Sequence, residues 1–426
     1  MNLLKIYRFA LILFVLAVFA QVFRIRLLFV LDYILLGVLV FSLVWAKLSL
    51  RWVDIQRQGN GDRASVGEYY EEVMTLQNRI FLPKLWLEVR DLSELPGHRL
   101  NFVQSLKPFG QVRWRAKTYC TLRGRYRLGP VSLTAGDPFG LFRFKREFQF
   151  KQYVTVYPPT FEINRFEAMA GVLPGGNTAN RPTPHTTPNI TGLREYRPGD
   201  SLNRIHWAST ARQRKLIVKE FDFDPTIDVQ IFLDLNIANH WVISHNPQDN
   251  AIKAFPASSG LRSNDSTEEY SIAAAATLSR YFLKIGRSVG LIAWGQHHEL
   301  VAPDRGERQQ VKLMEALAVL RAQGQTDFGQ LIASEMSRLG SNDTVILITS
   351  STDEGWVATL PLLLRKHIKV AVVMIEPSTF GGPAASPLLV VGSLAPMNVP
   401  IYLIKRGDDL AQALDSELAR LAAQMQ

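Results

Sequence analysis

The sequence predicts a multidomain chain: two N-terminal transmembrane helices, a small β-sandwich-like domain and a C-terminal α/β domain with a doubly wound sheet. Three observations carry this. Two long apolar runs open the chain, short apolar alternations punctuated by Gly, Pro and Asn fill residues 53–160, and strand and helix patterns alternate across 222–426. The length of 426 residues fits two or three domains with ample apolar content for their cores.

The first element, residues 1–50, reads as a transmembrane hairpin. Phe9 to Phe23 is almost wholly apolar, and Leu27 to Ala46 supplies about 20 residues broken only by Asp32, roughly what a bilayer core requires. No small-residue cleavage site follows the first run, which argues against a removable signal. Lys5, Arg8, Lys47, Arg51, Arg57 and Arg63 lie on the terminal sides, against Arg24 and Arg26 in the connection, so both termini are expected in the cytoplasm. Asp32 is expected to face the partner helix or to lie near the interface. The lone cysteine, Cys120, excludes an intrachain disulfide and agrees with a reducing compartment.

Residues 53–160 come next. Val112, Trp114, Ala116, Thr118 and Cys120 alternate with Arg113, Arg115 and Lys117, which predicts a strand with a basic outer face. Arg123, Arg125 and Arg127 are expected to repeat that outward set. Asp137-Pro138 and Gly140 make turn chemistry, with Phe139 and Phe142 expected to pack beneath it. The whole-chain charge of +10 is concentrated: residues 113–151 contribute +8 and residues 181–221 contribute +5. Such patches suit anionic headgroups or an acidic protein surface. Nucleic acid is not expected, since no phosphate-cradling glycine loop or nucleic-acid fold signature accompanies the charge.

Residues 161–190 form a Pro/Gly-rich linker, and residues 191–221 read TGLREYRPGDSLNRIHWASTARQRKLIVKEF. Pro198-Gly199 supplies a turn, Asp200 is placed to cap a helix to about Ser209, and Leu216 to Phe221 reads as a strand. Leu202 and Ile205 share the helix's inner side, with Trp207 covering a different surface, as core or domain-interface filler. This segment closely resembles the signature of the bacterial family called domain of unknown function 58, through Gly192, Leu193, Arg194, Tyr196, Pro198, Gly199, Asp200, Arg204, Ile205, Trp207, Ala211 and Arg212. The resemblance implies a protein anchored in the bacterial inner membrane, with the bulk of the chain cytoplasmic. It also implies a von Willebrand A-like domain and a link to MoxR-type AAA+ ATPases; it supplies no reaction.

Asp200, His206 and Ser209 invite a hydrolase reading, but Asp200 is better used on free backbone donors or on Arg194, Arg197 or Arg204, and no nucleophile elbow is present. No catalytic residue, cofactor or small-molecule substrate is therefore expected. Arg194, Tyr196, Arg197, Pro198, Gly199, Asp200, Arg204, His206, Trp207 and Arg212 are read as an interdomain clasp or a partner-docking surface.

After the signature, strands are predicted at Asp228–Leu235, Ser288–Ala293, Thr344–Thr349, Lys369–Ile375 and Ile401–Ile404. Helices are predicted at Ser266–Ile285, Glu307–Arg321, Phe328–Leu339, Gly355–His367 and Asp408–Met425, with a polar insertion at Asn239–Asp265. This order resembles a von Willebrand A domain, whose ion site uses an Asp-x-Ser-x-Ser run, a later threonine and a later aspartate. Asp234 and Thr326 match, but Asn236 and Ala238 stand where serines would be, and Ser350-Ser351 stand where the last aspartate is expected. The three positions Asp234, Asn236 and Thr326 would hold Mg²⁺ only weakly, and no physiological metal is expected. The leading expectation is a membrane-anchored adaptor working with a MoxR-type ATPase. The alternatives are a metal-dependent adhesion-type module and an uncharacterised enzyme using the signature.

Overall fold

The computed structural model describes residues 3–166, 190–197, 205–221, 228–243, 266–341, 343–383 and 387–416. The described chain forms two compact units, one within Met1–Pro159 and one beginning at Thr160. The first opens with α1 (Leu3–Phe23) and α2 (Arg26–Leu50), joined through Arg24 at φ +50°. The 25 residues of α2 extend about 37 Å, enough for a hydrocarbon layer of about 30 Å. Its large side chains face outward uncovered by protein, among them Leu27, Tyr33 and Ile34. Among the described residues this is one helix long and apolar enough to cross a membrane, where the sequence predicted two. The described apolar stretch of α1 is Tyr7–Phe23.

The remainder of this unit is sheet: β1 (Val53–Gly59), β2 (Arg63–Ser65), β3 (Tyr69–Asn78), β4 (Lys84–Asp91), β5 (Asn101–Leu106), β6 (Gln111–Tyr119), β7 (Gly124–Leu128), β8 (Val131–Gly136), β9 (Arg143–Phe148) and β10 (Gln152–Tyr157). They hydrogen-bond in the orders β1-β3-β6, β5-β4-β8-β9 and β2-β10-β7. Ile55, Met74 and Leu76 from the first of these and Leu87, Val89 and Leu133 from the second share one core. The alternation on β6 places Arg113, Arg115 and Lys117 in solvent and buries Thr118.

Two sequence expectations fail here. Arg123 is fully buried rather than outward, because it precedes β7, where Gly124 at φ +155° breaks the phase of the alternation. Phe139 is 58% exposed rather than packed beneath its turn. The Asp137 carboxylate accepts the Phe139 and Phe142 N–H groups at 2.9 and 2.6 Å; only Phe142 turns inward.

The second unit begins its described structure with β11 (Ile190–Glu195) and β12 (Ile217–Phe221), paired antiparallel around α3 (Trp207–Gln213). Then follow β13 (Asp228–Leu233), α4 (Thr267–Lys284), β14 (Ser288–Trp294), β15 (His298–Asp304), α5 (Gly306–Val319), α6 (Phe328–Glu335), β16 (Thr344–Thr349), α7 (Leu360–Arg365), β17 (Lys369–Ile375), α8 (Leu388–Leu394), β18 (Ile401–Ile404) and α9 (Leu410–Asp415). The sheet order is β15-β14-β13-β16-β17-β18, parallel except for the antiparallel edge strand β15. Its central strands are continuous Val/Ile/Leu runs because both faces are covered. Phe232, Leu347 and Val372 meet Phe328, Trp356, Leu363 and Val390 on one face, and α4 lies across β13, β14, β16 and β17. Ser266 caps α4 by accepting the Glu269 N–H at 3.2 Å.

Sequence reading missed β11, β15 and α8. The alternating exposure of β15 and its Pro303 suit an edge strand, and such a short run resembles a loop when read alone. Most of the polar insertion and of the linker lies outside the described residues.

Candidate functional site

Successive strands leave β13 in opposite directions across the sheet, β14 to one side and β16 to the other, so the carboxyl end of β13 is the topological switch point. Asp234 stands there, 1% exposed, with its N–H donating to the Ile348 carbonyl at 2.9 Å. Its Oδ1 accepts the Asn236 N–H at 3.0 Å, and its Oδ2 accepts Asn239 Nδ2 at 2.9 Å and the Thr349 hydroxyl at 2.7 Å. The Asn236 side chain bridges outward: Oδ1 accepts the Ala238 N–H at 3.0 Å and Nδ2 donates to the Thr326 carbonyl at 3.1 Å. Gly324 closes this loop against Trp294, where an added Cβ would lie 2.0 Å from the Trp294 carbonyl oxygen. Only glycine fits that approach.

His240 completes the shell, with Nε2 2.9 Å from the Asp234 carbonyl and Nδ1 3.1 Å from the Thr267 hydroxyl. The Ser350 hydroxyl donates to the Asn239 carbonyl, and the Ser351 N–H donates to the Thr349 hydroxyl. Burial pushes the Asp234 carboxyl above the usual carboxylate range, against the opposing pull of His240, Thr349 and the Asn236 N–H. The three residues aligned with an ion site thus meet in space, but through hydrogen bonds among themselves. Thr326 contributes its carbonyl to Asn236, and each oxygen of Asp234 already has a protein donor. Near-octahedral Mg²⁺ ligation would draw on oxygens of Asp234 and Asn236 that here accept protein donors.

The signature residues split. Pro198, Gly199, Asp200 and Arg204 lie outside the described residues. Arg194 lies on β11, the Tyr196 N–H donates to the Leu216 carbonyl at 2.8 Å, and Arg197 is exposed after the strand. The described helix α3 begins at Trp207 and Ile205 bridges to Val218 just before it, so the helix predicted from Asp200 to Ser209 is not continuous; its part at 200–204 lies outside the described residues. His206 serves as the N-cap of α3, its Nδ1 accepting the Ser209 N–H at 3.2 Å and lying 2.8 Å from the Ser209 hydroxyl. Arg214 ends it in a left-handed conformation at φ +53°. Ile205 is buried as expected, but Trp207 is 68% exposed rather than interface filler. No residue of α3 is buried; Arg212, Arg214 and Lys215 are exposed, and Lys215 Nζ pairs with Glu195 Oε1 at 2.8 Å.

A second polar cluster, in the first unit, escaped sequence reasoning. Glu72, Asp91 and His98 have ligand atoms within 4.8 Å of one another, all buried. Arg57 occupies the cationic position among them: Nε donates to Glu72 Oε2 at 2.7 Å and Nη2 to Asp91 Oδ2 at 3.0 Å. His98 Nε2 lies 2.9 Å from Asp91 Oδ2 and 3.2 Å from Glu72 Oε1, and Nδ1 lies 2.7 Å from the Thr118 hydroxyl. The guanidinium leaves no opening for a metal. The four residues come from β1, β3, β4 and the β4–β5 loop, so no sequence spacing announces them.

Fold and site together define a multidomain protein, in which a sheet-rich N-terminal region bearing one long apolar helix precedes an α/β domain with a parallel sheet. Residues 192–392 match the family model described as Protein of unknown function DUF58, a span that runs from the signature across the Asp234 edge to α8. The Bacillus subtilis (strain 168) protein described as "Uncharacterized protein YeaD" is 21% identical over 343 residues, which cover 76% of this chain and 77% of that protein. The family match and the relative support placing this chain with the DUF58 family. Among solved structures, the CARDB domain of a Pyrococcus furiosus protein in complex with di-metal ions is 16% identical and covers 24% of this chain and 86% of its own, with a TM-score of 0.18. The human seminal plasma complex of zinc 2-glycoprotein with prolactin inducible protein is 9% identical and covers 24% of this chain and 92% of its own, with a TM-score of 0.19. Likenesses of that size carry no argument about fold or function.

Proposed function

We propose that this protein is a membrane-tethered interaction scaffold, whose von Willebrand A-like second unit docks a protein partner, a MoxR-type AAA+ ATPase, in the assembly or activation of other proteins. The tether is the N-terminal hairpin: α2 crosses the inner membrane, α1 returns beside it, and both units lie in the cytoplasm. The observation that carries the docking reading is α3, a helix with no buried side chain that carries Trp207 at 68% exposure and Arg212, with Arg214 exposed at its C-terminal cap. An exposed tryptophan flanked by arginine is the composition of an interface hot spot, and the cations select an acidic partner surface.

The test is binding of the MoxR-type ATPase from the same genome to the full chain in lipid nanodiscs. Trp207→Ala with Arg212→Glu is expected to weaken binding about tenfold or more. Unchanged affinity would remove docking from this hairpin.

The metal-dependent adhesion reading has less support, because Asp234 meets protein donors at both oxygens. Calorimetric titration of the full chain with Mg²⁺ or Mn²⁺ is expected to give no saturable heat. A saturable signal abolished by Asp234→Asn would reverse the order of the two readings.

A further inference from the structure

The end of the first unit that carries α2 is chemically distinct. Strand registers set Val53 opposite Asn78, Gln77 opposite Gln111, Lys84 opposite Leu106 and Gly136 opposite Arg143, with Leu87 opposite Ala135 holding β4 beside β8. Four connections therefore turn at this one end: the α2–β1 junction at Arg51-Trp52, and the loops at 79–83, 107–110 and 137–142. The first three are joined to one another. The Arg79 N–H donates to the Trp52 carbonyl at 2.9 Å, the Phe109 N–H to the Ile80 carbonyl at 3.0 Å, and Asn78 Nδ2 to the Leu82 and Lys107 carbonyls at 2.9 and 3.1 Å.

Each connection holds one aromatic ring out of the fold: Trp52 is 49% exposed, Phe81 74%, Phe109 67% and Phe139 58%. Trp52 and Phe109 do so from left-handed backbone, at φ +57° and +53°. That conformation is rare for bulky residues. Arg51 and Lys107 stand exposed in these connections; Arg79 is exposed but paired with the Asp54 carboxylate, and the acid of the fourth connection, Asp137, is buried by its own turn.

The helix is fixed to this end. Lys84, fully buried, donates to the Leu48 and Arg51 carbonyls at 2.7 and 3.2 Å and so caps α2, while Leu50 joins the sheet core. The loops cannot swing away from the point where the helix emerges.

We propose that these four loop tips form a collar seated in the headgroup layer of the bilayer, with the rings at the interface and Arg51 and Lys107 against anionic phosphates. Aromatic rings and snorkelling cations are the side chains that this layer favours. Rigid continuity with α2 decides the occupant, because a collar around the exit of a spanning helix has the lipid surface beneath it. The collar rests on the reading of α2 as a span.

Cys120 is buried, so single introduced cysteines can be labelled selectively. A fluorophore is placed at Phe81→Cys, Phe109→Cys or Phe139→Cys, at Tyr119→Cys on the opposite end, and at Leu36→Cys within α2. Each full-length variant is studied in phosphatidylcholine/phosphatidylglycerol nanodiscs containing spin-labelled lipid. Headgroup spin label is expected to quench the three loop sites about threefold more than Tyr119→Cys, and acyl-chain label to quench Leu36→Cys. Quenching at Leu36→Cys with loop sites that behave like Tyr119→Cys would overturn the collar and leave the span intact. Failure at Leu36→Cys as well would overturn both. In phosphatidylcholine alone, loop quenching is expected to fall about twofold; no fall would remove the role given to the cations.

Discussion

Asp234→Ala is expected to lower the stability of the second unit by about 3–5 kcal/mol. The substitution strips partners from the Asn236 N–H, the Asn239 amide and the Thr349 hydroxyl together. A buried donor left without an acceptor costs about 1–3 kcal/mol, and relief of the carboxylate's own desolvation offsets part of the sum. Asp234→Asn keeps the volume but turns an amide donor toward groups that already donate, so a loss of about 1–2 kcal/mol is expected. Pulse proteolysis of the full chain in detergent measures both. A wild-type midpoint for Asp234→Ala would mean that the edge is held by something other than this carboxylate.

Arg57→Met is expected to destabilise the first unit by about 3–5 kcal/mol, because it leaves Glu72 and Asp91 facing each other without the guanidinium. The same cluster sets a pH dependence. Burial works to lower the His98 pKa, but its hydrogen bonds to Asp91 and Glu72 outweigh burial and raise it to about 9. Its contribution is therefore complete below the ordinary histidine value of about 6.5 and is lost as pH rises toward about 9. Asp91 behaves oppositely. Burial alone would raise it, yet hydrogen bonds from His98 and Ser93 and the charge of Arg57 hold it below the ordinary carboxylate value. Its contribution is present above that ordinary value and is lost in acid. Stability followed by pulse proteolysis from pH 6 to 10 is expected to fall in the wild type and to fall less steeply in His98→Gln. Parallel profiles would show that His98 does not carry the alkaline loss.

Legibility in the sequence followed the range of the interaction. The strands Thr344–Thr349, Lys369–Ile375 and Ile401–Ile404 were readable to the residue, since a strand buried on both faces must be apolar throughout. Helix α4 was readable from its apolar periodicity and the Ser266/Glu269 cap. The signature was readable as a unit, but the helix predicted to run through Ile205 is interrupted there. Asp200 is a stronger cap in sequence than His206, and only the bridge between Ile205 and Val218 shows that α3 begins after it, at Trp207. Phe139 was misplaced because an apolar residue at a turn carries no mark of which side it faces.

The sequence by itself determined the order of apolar helix, sheet-rich region and α/β domain, the basic faces and the degenerate Asp234, Asn236 and Thr326 set, because each is written in neighbouring residues. Tertiary structure alone decided that Asp234 is saturated by Asn239 and Thr349, that Arg57 neutralises Glu72 and Asp91, and that four distant loops share one end with α2. Those outcomes depend on strand register and order, which bring together residues tens of positions apart and which no local pattern encodes.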